Sequence, residues 1–269
     1  MKIAFIGGGN MGEAILAAVL TNKLAAIRDI TVSDVSEERR QYLSQKYAVK
    51  VSADNLHAIT GKDIIVLAVK PKILANVMAE LIGHLKPNQL VLSIIAGATI
   101  NTLRQGLNHK SIVRSMPNTP AQIGKGVTVW TTTKEVTDQQ KKTASAILGA
   151  MGKEFHASDE SFLDVATAVS GSGPAYLFYF VESMVDAAVK IGLPRDMAKE
   201  MVIGTVIGAG HLIEQSGEEP SELRRMVTSP GGTTAEAIRK FEEGGFSNLI
   251  FQAVKAALER AKQLGANQK

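Results

Sequence analysis

The sequence of 269 residues contains no cysteine, which excludes disulfide bonds, a cysteine nucleophile and thiolate metal sites. Its five histidines are scattered, and none stands in a metal-ligand spacing such as H-E-x-x-H. Lysine and arginine never occur in runs longer than two, so no nucleic-acid footprint is visible despite a net charge of +4. We therefore expect no metal and no nucleic-acid partner.

Long hydrophobic runs are also missing. The longest apolar stretch without a charge, Met201–Ile213, is shorter than the roughly 18 to 20 residues that span a bilayer. The apolar segment at the N-terminus is short and breaks at glycines, unlike a signal peptide. We therefore expect a cytoplasmic globular protein without a membrane partner.

The hydrophobic period of the chain changes near residues 153–160. Before this point, short apolar runs alternate with helical patterns, which predicts an α/β fold with a mostly parallel, Rossmann-type sheet. After it, only helical patterns occur. We expect a dinucleotide-binding domain over residues 1–157 and an all-helical domain over residues 158–269. The predicted strands are Lys2–Ile6, Ile30–Asp34, Val49–Val51, Asp63–Val69, Gln89–Ile95, Ile112–Met116, Val127–Thr131 and Glu154–His156.

A glycine motif follows the first predicted strand directly. Gly7, Gly9 and Gly12 form the pattern G-x-G-x-x-G and lead into a helical run. The first glycine allows a tight turn, the second leaves room for a pyrophosphate, and the third lets the helix pack close to the strand. The start of that helix, with Asn10 and Met11, offers N–H groups and a positive dipole end to phosphates. The order of strand, turn and helix predicts a dinucleotide site.

Asp34 ends the second predicted strand, about 20 residues after the glycine motif, where an acidic residue binds the adenine ribose in many NAD enzymes. A carboxylate there repels the extra phosphate of NADP, whereas Ser33, Ser36, Arg39 and Arg40 favour that phosphate. Asp34 also fits the role of an N-cap for a helix that starts at Glu37. The sequence leaves the cofactor choice open.

Ligands of open parallel sheets bind beyond the carboxyl ends of the strands. Small, polar or rigid residues follow several predicted strands here, and we expect them to form one cofactor crevice. They are Lys70-Pro71, Ala96-Gly97-Ala98 and Pro117-Asn118-Thr119-Pro120.

Two further glycine-rich segments lie in the helical half. Ser229–Thr234 opens a predicted helix, so it fits an anion pocket for a small carboxylate as well as a turn capped by Thr233 or Thr234. Ser170–Pro174 fits a hinge before the next helix as well as a close-approach surface against the nicotinamide. Spacing alone does not decide either case.

Taken in order, six segments resemble pyrroline-5-carboxylate reductase, the last enzyme of proline biosynthesis. The resemblance extends from Met1 to about Ala261, and the Ser-Pro-Gly-Gly-Thr-Thr segment is its most specific part. The segments are Phe5–Gly12, Ala68–Pro71, Ala96-Gly97, Met116–Pro120, Ser170–Tyr176 and Ser229–Thr234.

The resemblance implies reduction of the C=N bond of 1-pyrroline-5-carboxylate to L-proline by NADPH, with NADH as the second donor. It implies that the helical half is a dimerisation and substrate domain, in a homodimer or a decamer of dimers. The implied cofactor residues are Gly7, Gly9, Asn10, Met11, Gly12, Ser33, Asp34, Ala68, Val69, Lys70, Pro71, Ala96 and Asn118. The implied substrate residues are Ser229, Gly231, Gly232, Thr233 and Thr234, with Thr234 as the catalytic residue that binds the ring nitrogen.

Two rival classes have a weaker basis. The beta-hydroxyacid dehydrogenases place a catalytic lysine four residues before an asparagine in their helical half, but here Lys190 is followed at that spacing by Pro194. A nucleotide-sensing protein without catalysis needs the glycine motif but has no use for a second anion loop at Ser229–Thr234. The reductase accounts for both features.

Overall fold

The computed structural model describes residues 1–266, in two compact units. The first comprises Met1–Ser172 together with the last helix from Ala257 onwards, and the second comprises Gly173–Ala256. The domain boundary after residue 157 stays a prediction.

The first unit is built on a sheet whose eight strands, among the described residues, lie in the order β3-β2-β1-β4-β5-β6-β7-β8. All neighbouring strands are parallel except β6 and β7, which confirms the mostly parallel Rossmann-type sheet. The strands are β1 Ile3–Ile6, β2 Ile30–Ser33, β3 Lys50–Ser52, β4 Ile64–Leu67, β5 Leu90–Ser93, β6 Ile112–Met116, β7 Gly126–Thr132 and β8 Gly152–His156.

Helices cover both faces of this sheet, because the side chains of each strand point alternately to opposite sides. In β1, Ile3 and Phe5 join one buried cluster, and Ala4 and Ile6 join the other. The helices of this unit are α1 Asn10–Thr21, α2 Glu37–Tyr47, α3 Asn55–Ile59, α4 Leu74–Leu81, α5 Ile100–Leu107, α6 Asp138–Gly149 and α7 Ser161–Ala166.

The second unit is helical and has little core of its own. Its buried cluster, within the described part of the chain, consists of Val185, Ala198 and Val202. Large apolar side chains such as Phe178 and Phe251 are more than 60% exposed instead. The helices are α8 Gly173–Lys190, α9 Arg195–Ser216, α10 Pro220–Met226, α11 Thr233–Glu243 and α12 Phe246–Ala266, whose last turns belong to the first unit.

The structure confirms the eight predicted strands and the change to helices in the second half. It adds two helices, α3 and α5, that the sequence patterns do not predict. A helix of π type, Thr167–Gly171, follows α7, where the sequence predicts an α-helix over residues 163–169 and then the glycine-rich segment Ser170–Pro174. Across residues 1–266, none of the helices has the length and apolar character needed to cross a membrane.

Candidate functional site

A crevice of about 660 Å³ opens at the carboxyl ends of β1, β4, β5 and β6. The chain leaves β1 for β2 on one side and returns to β4 on the other, and such a switch point is where open α/β sheets bind ligands. Lys70 is the charged residue among those that line it, so the crevice favours an anion. The lining consists of Gly9, Asn10, Met11, Ala68, Val69, Lys70, Pro71, Ile94, Ile95, Ala96, Met116, Pro117, Asn118, Thr119 and Gly171.

The three glycines of the motif occupy three different environments. Gly7 has φ of 99°, and a Cβ there would lie 2.7 Å from the carbonyl oxygen of Ala68. A Cβ on Gly12 would lie 2.4 Å from the carbonyl oxygen of Gly7, so only glycine lets α1 approach β1 this closely. Gly9, in contrast, has nothing within 4 Å of its Cβ position. The packing around Gly9 therefore leaves space at the mouth of the crevice.

Gly9 is also the N-cap of α1, and no side chain caps this helix in the described structure. The first N–H groups of α1, at Asn10 and Met11, therefore lack a helical partner and lie at the crevice. Uncapped N–H groups and the positive end of a helix dipole are the features with which helix N-termini bind phosphate. This is where the sequence predicts the pyrophosphate.

Four of the predicted cofactor residues, Gly7, Gly12, Ser33 and Asp34, lie outside the lining of the crevice. Gly7 donates its N–H to the carbonyl oxygen of Ser33 at 2.8 Å, which ties the glycine loop to the end of β2. The buried Ser33 hydroxyl donates to Asn55 Oδ1 at 2.7 Å. Sequence reasoning misses Asn55, whose only signal is its position shortly after β3.

Asp34 has a different role from a helix cap. The N-cap of α2 is Ser36, whose hydroxyl accepts the N–H of Arg39, so the interpretation of Asp34 as that cap is wrong. Its Oδ1 accepts the N–H of Ser36 at 2.9 Å, and its Oδ2 accepts the N–H of Gly8 at 2.8 Å. Asp34 thus connects the glycine loop with the start of α2.

Asn118 fixes the far wall of the crevice. Its Oδ1 accepts the N–H of Val127 at 2.8 Å, and its Nδ2 donates to the carbonyl oxygen of Ser170 at 3.0 Å. Ser170 lies in the π-helix, an irregular turn of a kind that recurs at functional sites. The amide therefore holds Gly171 at the crevice, next to Met116. The two compact units divide directly after this turn, between Ser172 and Gly173.

The loop Ser229–Thr234 in the second unit leads into α11. Its N-cap is Gly232, and no side chain in the described residues caps the helix, so the interpretation with Thr233 or Thr234 as the cap is wrong. Gly232 donates its N–H to the backbone carbonyl oxygen of Ser229 at 3.0 Å, and Gly231 has φ of 70°. The N–H groups of Thr233 and Thr234 start the helix and lack helical acceptors. The loop thus offers an anion two N–H groups and two hydroxyls.

Over residues 1–266, no three or more histidine, aspartate or glutamate side chains are grouped to hold an ion.

Comparison with known proteins agrees with both halves of this description. Residues 2–97 match the family model described as NADP oxidoreductase coenzyme F420-dependent, and residues 160–264 match the model described as pyrroline-5-carboxylate reductase dimerisation. The fold and the crevice thus define a nucleotide-dependent oxidoreductase with a helical dimerisation region.

The particular family follows from relatives of full length. A pyrroline-5-carboxylate reductase of Synechocystis is 40% identical over 98% of each chain. The structure of a pyrroline-5-carboxylate reductase from Coxiella burnetii has a TM-score of 0.90 and 35% identity, and covers 98% of each chain. That of Plasmodium falciparum pyrroline carboxylate reductase, with NADP bound, has a TM-score of 0.89 and 31% identity at the same coverage. The chain belongs to the pyrroline-5-carboxylate reductase family.

The open space at Gly9 generates a prediction that separates binding from folding. We expect Gly9→Ala to fold normally, with Tm within about 2 °C of wild type, because its Cβ meets nothing. The same methyl group would face the pyrophosphate, so the Kd of NADPH should rise roughly tenfold or more. Calorimetric titration with NADPH and thermal unfolding measure the two effects.

Two variants frame this measurement. Gly12→Ala should lower both Tm and NADPH affinity, because its Cβ would overlap the carbonyl oxygen of Gly7. Gly149→Ala, at the end of α6, has no contact closer than 3.8 Å, so it should leave the NADPH affinity unchanged and keep or raise Tm. Unchanged NADPH affinity in Gly9→Ala would place the pyrophosphate elsewhere.

Proposed function

We propose that the chain reduces the C=N bond of 1-pyrroline-5-carboxylate to L-proline, the last step of proline biosynthesis, with NADPH as hydride donor and NADH as the second donor. One observation carries the proposal: a chain of this family combines a glycine-lined crevice with a separate anion loop at the start of α11. A sensor of nucleotides needs only the first feature. The chain lacks the lysine and asparagine pair that a beta-hydroxyacid dehydrogenase needs in its helical half.

The crevice would hold the cofactor along its length. The pyrophosphate would lie on Gly7, Gly9, Asn10, Met11 and Gly12, where the open space at Gly9 fits it. Ser33 and Asp34 would lie towards its adenosine end. The nicotinamide and its ribose would contact the opposite wall, formed by Ala68, Val69, Lys70, Pro71, Ala96 and Asn118. When bound, NADPH supplies the hydride.

The protein's own part is to bind and orient a small cyclic imine. In the proposed arrangement, the substrate carboxylate accepts N–H groups of Thr233 and Thr234, and Ser229, Gly231 and Gly232 shape the loop around it. The N–H of Gly232 is occupied by Ser229, so Gly232 contributes through the absence of a side chain. Thr234, half-buried in the first turn of α11, would accept the N–H of the protonated ring nitrogen with its hydroxyl.

An oligomer follows from the dimerisation region and from the exposed surface of the second unit. Side chains such as Tyr179, Ile207 and Phe251 are each more than half exposed, which is unusual for a soluble helical unit without a partner. We propose a homodimer that assembles further into a decamer, located in the cytoplasm, with no nucleic-acid or membrane partner.

The proposed reaction is tested with the purified protein and both cofactors. Adding 1-pyrroline-5-carboxylate should oxidise NADPH, and proline should form in equal amount. The same assay with NADH gives the ratio of kcat/KM for the two donors. Cofactor binding without turnover would contradict the reductase and favour the sensor.

A change at Thr234 tests the substrate loop. Thr234→Ala should lower kcat by roughly 100-fold, because the imine loses the group that orients it, with little effect on the Kd of NADPH. Thr234→Ser keeps the hydroxyl and should recover most of the rate. Thr143→Ala, which removes a helical threonine hydroxyl in α6, serves as the control. Wild-type turnover in Thr234→Ala would remove the proposed role.

A mixed dimer tests whether the loop acts on the crevice of its partner, as interleaved helical domains would allow. One protomer carries Gly9→Ala and the other Thr234→Ala, and two affinity tags select the heterodimer. The rate is measured at NADPH near the wild-type KM, where the weaker binding of Gly9→Ala limits turnover at its crevice. If the loop acts across the dimer, one intact site forms, so the heterodimer should have about half of the wild-type rate. If it acts within its own chain, no intact site forms and the activity stays at the level of the single variants.

A further inference from the structure

The backbone of Gly8, the residue between the first two glycines of the motif, is held by side chains on both sides. Its N–H donates to Asp34 Oδ2 at 2.8 Å, and its carbonyl oxygen accepts Nε of Arg39. Gly8 is buried, and a Cβ there would lie 2.5 Å from a methyl carbon of Leu43. The phosphate loop therefore rests on α2 and on the segment before it.

The orientation of the Asp34 carboxylate is fixed by the backbone. One oxygen binds Gly8, and the other binds the N–H of Ser36, which begins α2. A carboxylate that accepts backbone N–H groups with both oxygens forms two charge-assisted hydrogen bonds. These two backbone N–H dipoles partly neutralise the negative charge of the Asp34 carboxylate, whether or not a cofactor ribose is bound.

Arg39 is bound just as firmly. Besides Gly8, its guanidinium contacts the carboxylate of Glu13 and lies 4.8 Å from the centre of the Tyr42 ring. Burial raises the pKa of Glu13, but hydrogen bonds from Lys46, Tyr47 and Arg39 outweigh this and lower it to about 2. Glu13 is therefore ionised at neutral pH and keeps Arg39 in place. This guanidinium is a support of the loop instead of a free cation.

We propose that Asp34 and Arg39 are positioning residues of the phosphate loop, and that their charges do not decide between NADPH and NADH. They act through Gly8 on the pyrophosphate, which the two cofactors share, whereas a selecting residue acts on the ribose 2′ position, where the cofactors differ. The inference rests on the cofactor site of the proposed function. It predicts that changing either side chain weakens both cofactors by the same factor.

The experiment compares Kd and KM of NADPH and NADH in Asp34→Asn and Arg39→Lys. The amide introduced by Asp34→Asn retains one acceptor but turns an NH₂ group towards one of the two backbone N–H groups. We expect both Kd values to rise about tenfold with their ratio unchanged. The ammonium introduced by Arg39→Lys keeps the positive charge but lacks the planar fork that joins Gly8 to Glu13. We expect this variant also to weaken both cofactors about equally, with the loss seen in KM more than in kcat.

Asp63→Asn is the matched control. Asp63 also accepts a backbone N–H, from Lys2 at 2.8 Å, but at the opposite end of the sheet. We expect both Kd values to equal those of wild type in this variant. The thermal midpoints of all three variants show that each protein is folded before its affinity is compared.

Three results would overturn the inference. Asp34→Asn that binds NADPH more tightly and NADH more weakly would identify Asp34 as a reader of the ribose. Arg39→Lys that keeps the affinity for both cofactors would show that its charge, and not its fork, is what binding needs. Unchanged Kd values in Asp34→Asn would remove its role altogether. Wild-type protein that binds neither cofactor would instead contradict the proposed function.

Discussion

The junction of β1 and α1 leaves no room for side chains at Gly7 and Gly12, α2 packs against Gly8 beside it, and the crevice is built around this close approach. A Cβ at any of the three would fall within 2.7 Å of a neighbouring atom: a backbone oxygen at Gly7 and Gly12, and the Leu43 side chain at Gly8. Because α1 starts this near to β1, its free N–H groups lie at the switch point of the sheet. The loops after β4, β5 and β6 then need only end at the same edge to complete the crevice.

Hydrogen bonds from outside the loop hold this geometry. Asp34 and Arg39 bind the two backbone groups of Gly8, and on the far wall Asn118 binds Ser170 in the π-helix. A site held in this way before the cofactor arrives loses less conformational entropy when it binds. Both supports use side chains that pattern analysis associates with the ligand, so the same residues can serve the cofactor indirectly by shaping the backbone that touches it.

The second unit, unlike the first, buries few apolar side chains within itself. With three residues in its buried cluster, it cannot gain enough from burial within itself to offset the entropy of ordering five helices. The exposed apolar faces of α8, α9 and α12 offer the area that a dimerisation region can bury against a second chain. Such burial would also order the unit that carries the proposed substrate loop, Ser229–Thr234.

Local sequence signals predict what depends on local order. The alternation of apolar runs and helices locates all eight strands, and the sequence predicts a helix that starts at Glu37, where α2 begins. The helix α5 is not predicted because it is short and has few apolar residues; it contains Asn101, Arg104, Gln105 and Gly106.

The role of Asp34 could not be read from the sequence. An aspartate shortly before a helix fits an N-cap as well as it fits a residue that binds a ribose. One of the two observed partners of Asp34, Gly8, is 26 residues away, and a contact of that range depends on the parallel pairing of β1 with β2. Residue types and spacing thus predict which residues belong to a cofactor site. They do not predict which of these residues touch the ligand and which shape the loop, because that difference depends on contacts that only the folded sheet creates.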